Sequence, residues 1–215
     1  RLLASTIGDE LKLATDFKSK VVGVALKDRA AILPAGHCAD AAYWWDSSEG
    51  RFITSTYYMN KLPAWVEQFN KAHQQKKGFD VKSTPKGITL TFDMAEAALK
   101  NERLGLGTET DMLTVSISST DIIGHIYSTR GSEIHDAYIQ LDRELDRFFN
   151  TLDAQLGRGN YLVFLTADHG GAHNPNFMRA NKLPAGGFEG WTLVKKLNKE
   201  LQQAMGTTAN LVLGE

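Results

Sequence analysis

The sequence predicts an α/β fold: a mostly parallel sheet flanked by helices. Short continuous apolar runs, Val21 to Leu26 (VVGVAL) and Tyr161 to Thr166 (YLVFLT), carry the pattern of strands buried on both faces. Stretches with apolar residues at helical spacing separate them. Alternation of the two kinds of element is what a parallel sheet with helical crossovers requires.

The elements follow in order. Leu2, Leu3, Ile7, Leu11, Ala14 and Phe17 keep helical spacing, so the chain is expected to open in mid-helix at Arg1-Leu2-Leu3-Ala4. After the VVGVAL strand, Tyr43 to Asp46 and Arg51 to Thr56 flank Ser47-Ser48-Glu49-Gly50, a hairpin pattern whose Tyr43, Trp44, Trp45, Tyr57 and Tyr58 are expected to pack together. Leu62 to about Lys77 is predicted helical with Pro63 in its first turn. Ile88 to Phe92 alternates as a strand, and Asp93-Met-Ala-Glu96 resembles a capping box for a helix closed by Gly105. Met112 to Ile117 is a predicted strand. Ile134, Tyr138, Leu141, Leu145, Phe148, Leu152 and Leu156 form a long helical stripe ended by Gly157. Leu193, Val194, Leu197, Leu201 and Met205 mark a last helix stopped by Gly206, and Asn210 to Leu213 is expected to be a strand. No repeat, linker or low-complexity tract interrupts the 215 residues, which are expected to form a single α/β unit.

Composition narrows the functions. Lys plus Arg total 24 against 25 Asp plus Glu, a net charge of -1, which argues against a nucleic-acid partner. A small anion needs only two or three well-placed cations. Cys38 is the only cysteine, so an intrachain disulfide framework and a Cys-based zinc ribbon are excluded. No apolar run approaches the ~20 residues of a membrane span.

Two motifs lie just past predicted strands, the edge where open α/β sheets bind ligands. In Ser118-Ser-Thr-Asp121-Ile-Ile-Gly-His125, one helical turn puts Asp121 and His125 on the same face. A carboxylate and an imidazole suit a borderline-soft ion such as zinc, while a capping Asp and a surface His are the plainer alternative. In Thr166-Ala-Asp168-His169-Gly170-Gly171, a tight turn aims Asp168 and His169 above the sheet; a plain turn Asp is the alternative there. Together the two couples supply four ligands, as two ions about 4 Å apart would need. Lys27-Asp28-Arg29 follows the VVGVAL strand directly. Extended backbone would project Lys27 and Arg29 together, a grip for a phosphoryl group, or merely a solvated strand end.

These residues resemble the alkaline phosphatase superfamily, specifically its phosphate-irrepressible branch, related to nucleotide pyrophosphatases/phosphodiesterases. The match rests on Leu3-Ala-Ser-Thr-Ile-Gly-Asp-Glu-Leu11, Gly23-Val-Ala-Leu-Lys-Asp-Arg29, Ile32-Leu-Pro-Ala-Gly-His37, the Asp121/His125 motif and Phe164-Leu-Thr-Ala-Asp-His-Gly170. The resemblance implies that Asp121 and His125 bind one Zn2+ and Asp168 and His169 a second. It implies that Lys27 and Arg29 contact the non-bridging oxygens of a small-molecule phosphate monoester. It also implies a two-step displacement by a metal-activated threonine, in a periplasmic or secreted enzyme.

In the family, that threonine, an Asp ligand and an Asn precede the first helix, and a further His ligand follows the last strand. The chain is therefore expected to be an internal fragment of the catalytic domain, incomplete at both ends and inactive alone. The alternatives are a phosphodiesterase or nucleotide pyrophosphatase, against which Lys27 and Arg29 argue, and a fragment that binds metal weakly or not at all. A sulfatase is disfavoured because no Cys/Ser-x-Pro-x-Arg motif occurs. Ser116, Ser118, Ser119 and Thr120 are expected to be capping or sheet residues, not nucleophiles. His173 is expected to be structural, His37 a hydrogen-bonding residue near the site, and His73 and His135 solvated.

Overall fold

The computed structural model describes residues 2–187 and 189–214. Its centre is β1 (Val21–Ala25), whose five residues are all buried, as the VVGVAL run requires. β1 pairs in parallel with β2 (Ala41–Asp46) on one side and with β4 (Met112–Ser116) on the other. β3 (Arg51–Ile53) closes an antiparallel hairpin with β2, Trp44 opposite Ile53. The order β3-β2-β1-β4 is the mostly parallel sheet expected from sequence.

Helices cover both faces. Ala25 and Ala42 pack against Ala31 of α2 (Asp28–Ala35) on one face. Val22, Val24 and Leu26 face the larger core on the other. That core is built from α3 (Ala64–His73), α4 (Pro85–Asn101), α5 (Ser118–Tyr127) and α6 (Ser132–Leu156). Of the aromatic hairpin residues, Tyr43 and Trp45 are buried as expected, with Trp45 edge-on to Phe52, whereas Tyr57 is exposed and meets Tyr58 edge-on. α6 spans 25 residues and stops at Gly157, whose φ of 86° an L side chain rarely adopts.

Several expectations are corrected. α1 runs from Ile7 to Ala14, started by a capping box in which Thr6 and Asp9 bond reciprocally. Leu2 and Leu3 precede it; Arg1, where the sequence placed the opening helix, lies outside the described residues. The apolar stripe of α1 does not face the core: Ile7 is 76% exposed, while Asp9 and Lys12 are buried. Polar bonding decides this. Asp9 accepts from the backbone N–H groups of Thr6 and Cys38, and the Lys12 ammonium donates to Ser19 and Asp40.

Ile88 to Phe92 is not a strand. It lies in α4, where Thr84 and Pro85 set the start, and Asp93 and Glu96 are interior residues of that helix. Tyr161 to Thr166 forms no strand either; Leu162 and Phe164 are 78% and 86% exposed. Asn210 to Leu213 is likewise not a strand. The Asn198 side chain bonds its backbone instead, accepting from Leu211 and Val212 N–H and donating to the Val212 carbonyl.

By internal contacts the chain divides between Ala172 and His173 into two compact units. The first holds the sheet, α1 to α6 and the segment carrying Asp168 and His169. The second contains α7 (Pro175–Ala180) and α8 (Gly190–Met205), the latter capped by Gly206 as expected.

Candidate metal centre

The site grows from the register of two neighbouring parallel strands. Ala25 of β1 lies opposite Ser116 of β4, so the connections Leu26–Lys27 and Ile117–Ser118 emerge side by side at the C-terminal sheet edge. There α2 and α5 begin. Neither has a side-chain cap: Lys27 and Ile117 occupy the cap positions without bonding the first-turn N–H groups. The order reverses direction here, β2 lying to one side of β1 and β4 to the other, which makes this the topological switch point of the sheet.

Asp121 and His125 share one face of α5, as their spacing predicts. His125 Nε2 lies 3.1 Å from Asp121 Oδ1. His169, from the segment after Tyr161, brings its Nε2 to 3.7 Å from the same Oδ1. One ligand atom from each of Asp121, His125 and His169 lies within 4.8 Å of the others. The Lys27 ammonium bonds the other oxygen, Oδ2, at 2.8 Å. Hydrogen bonding by Lys27 holds the Asp121 carboxyl below the ordinary carboxylate range, against the opposing effect of burial.

The His169 ring Nδ1 is 3.0 Å from the Gly170 carbonyl. An Nδ1–H donated there leaves Nε2, 3.7 Å from a carboxylate oxygen of both Asp121 and Asp168, as the ligand atom, the arrangement by which proteins orient a metal-ligating imidazole. The bond to Gly170, with Asp168 and Asp121 nearby, raises the His169 pKa above its ordinary value. Three donors converging from one carboxylate and two imidazoles suit zinc with an open position. The residues fit a divalent ion.

Not every expected residue joins the cluster. Asp168 stays outside it: its side chain is 88% exposed, with Oδ2 3.7 Å from His169 Nε2. The structure thus groups His169 with Asp121 and His125. Arg29 lies in the first turn of α2, not on an extended strand end, because the helix begins at Asp28. The exposed Arg29 side chain makes no ion pair or hydrogen bond among the described residues.

Other corrections concern bystanders. His37 sits at the opposite, N-terminal edge of the sheet, 3.1 Å from Asp9. His73 is stacked on Phe69 and 3.7 Å from Asp93, not simply solvated. His135 is exposed, as expected. Thr120 donates back to the Ile117 carbonyl, while the Ser118 and Ser119 hydroxyls are buried without a partner among the described residues. Sequence reasoning missed the direct Lys27–Asp121 pair, since nothing in either motif shows that the two strands are neighbours.

The structure thus defines an α/β protein with a metal-competent cluster at the switch point of a mostly parallel sheet. The comparisons agree. Residues 11–191 match the type I phosphodiesterase / nucleotide pyrophosphatase family model, and the chain belongs to that family. It is 41% identical over 255 residues to alkaline phosphatase PafA of Elizabethkingia meningoseptica, covering 95% of this chain and 46% of that protein. Alkaline phosphatase PhoV of Synechococcus elongatus is 40% identical over 233 residues, covering 86% and 42%. The crystal structure of wild-type PafA superposes with a TM-score of 0.85 at 41% identity, covering 94% of this chain and 48% of that one. The chain spans about half the length of these relatives.

Proposed function

We propose that these residues form part of the active site of a di-zinc phosphate monoester hydrolase. The observation carrying this reading is the convergence of Asp121, His125 and His169 beside Lys27 at the switch point. The likeness to proteins named alkaline phosphatases supports the substrate class. An ion bound here supplies positive charge to polarise a phosphoryl oxygen.

The chain's own groups do the rest. Asp121 and His125, presented by one turn of α5, hold one ion, and the N–H of Gly170-facing Nδ1 orients His169 for its role as ligand. The resemblance gives the second ion to Asp168 and His169. Lys27 and the unpaired guanidinium of Arg29 grip the equatorial oxygens as charge grows on them. Thr120 is committed to Ile117, and Ser118 and Ser119 are buried, which speaks against these three as the nucleophile. We therefore assign the nucleophile to a threonine that these 215 residues do not supply. Periplasmic or secreted location is proposed from the resemblance alone; among the described residues no helix is long and apolar enough to cross a membrane.

The test compares the whole enzyme with the 215-residue chain on monoester and diester substrates. Monoesters are expected to be preferred, and the chain alone to show no turnover. Arg29→Ala in the whole enzyme is expected to cut monoester kcat/KM about 100-fold with metal content kept, the scale of losing one transition-state donor. Preference for diesters would support the second reading that the family model's name supplies, a phosphodiesterase.

A further inference from the structure

We propose that Lys27 is a placeholder for the metal: in the ion-free protein its ammonium neutralises Asp121, and binding of the ion displaces it toward the anion. This inference rests on the metal reading given above. Asp121 is divided between two kinds of neighbour. Its Oδ2 accepts from Lys27 at 2.8 Å, while its Oδ1 faces His125 Nε2 at 3.1 Å and His169 Nε2 at 3.7 Å. A divalent ion held by Asp121 and His125 draws on the same carboxylate charge that Lys27 uses.

The two cations cannot both keep Asp121 at full strength. The pair is half-buried, with side chains 24% and 30% exposed, so solvent screens their repulsion less than on an open surface. Lys27 is also built to move. Its backbone is extended at φ -107°, ψ 137° at the end of a buried strand, so the anchor is fixed. Its four-carbon stem carries a point charge through freely rotating bonds, unlike the planar fork of Arg. Released from Asp121, the ammonium stands at the start of α2, whose first turn carries Arg29 and backbone N–H groups, one of them, that of Arg29, donated to Asp28. Those groups favour an anion. The ion then does two things by occupying one carboxylate: it fills its site and frees the cation that the substrate needs. Affinity of the site for metal is reduced in the resting protein by the strength of the Lys27 pair.

The experiment titrates zinc into the metal-stripped whole enzyme and its Lys27→Met variant, by equilibrium dialysis at fixed pH and ionic strength. The variant is expected to bind zinc about tenfold more tightly, within the usual range of coupling between sites. Equal or weaker binding by Lys27→Met, with wild type binding normally, overturns the placeholder and leaves the metal reading standing. Failure of wild type to bind zinc at all overturns both. A second measurement needs no variant: acylation of the Lys27 amine by N-hydroxysuccinimidyl acetate, followed by peptide mass spectrometry. Lys27 is expected to react several-fold faster once zinc saturates the protein, because the amine has left its carboxylate. An unchanged or slower rate contradicts the proposal even if the variant fails to fold.

Discussion

Asp9 shows what a single residue does in this fold when the apolar pattern points elsewhere. Its buried carboxylate accepts from Thr6 N–H, Thr6 Oγ1 and Cys38 N–H and faces His37, tying α1 to the loop after α2. Burial alone would raise its pKa, but these bonds hold it well below the ordinary range. A depressed carboxyl stabilises the fold fully above its unfolded value, near pH 4, and loses that contribution as pH falls toward the folded value. Asp9→Ala is expected to cost about 3 kcal/mol at pH 7, since it leaves buried donors unpaired. Urea unfolding should show the gap between wild type and Asp9→Asn narrowing from pH 7 to pH 3; a constant gap contradicts the assignment. At this scale the site was largely legible. The four-residue spacing put Asp121 and His125 together, and the Asp168-His169 motif was placed at the same edge. The Lys27–Asp121 bond was not legible, because it depends on β1 and β4 being neighbours across 94 residues of sequence.

α4 and α5 meet closely, and that contact positions the site. A methyl group built on Gly87 would press on the Ser119 hydroxyl and lie 2.6 Å from the Val81 carbonyl oxygen. In an exposed helix Gly→Ala gains about 1 kcal/mol. Here the clash with backbone wins, and Gly87→Ala is expected to destabilise by about 1–3 kcal/mol in thermal or urea unfolding. A stabilised variant would show that the helices are not in close contact. Elements whose pattern spans many turns, such as α6 and α8, were read correctly from sequence. Ile88 to Phe92 was not, because five residues fit alternation as easily as a helical stripe. The longer window decides: Ile88, Thr91, Ala95 and Ala98 are all buried at helical spacing.

Across the whole molecule, the mostly parallel sheet and a site at its C-terminal edge follow from buried runs and crossover helices, whereas the strand order does not. The Tyr161 to Thr166 segment marks the limit of that logic. Its composition reports fitness for burial, but a parallel strand also needs a partner ladder, and none pairs with it among the described residues. Phe164→Ser is therefore expected to change the stability of the chain by less than about 0.5 kcal/mol, as for other exposed positions. A loss of about 3 kcal/mol in urea unfolding would mean that Phe164 is packed in a core. The most direct test of the metal centre is the zinc content of the whole enzyme after equilibrium dialysis, compared with its Asp121→Ala and His169→Ala variants. The account predicts that the whole enzyme retains zinc and that each variant binds it at least about tenfold more weakly. Zinc retained equally by all three proteins, or by none, would contradict it.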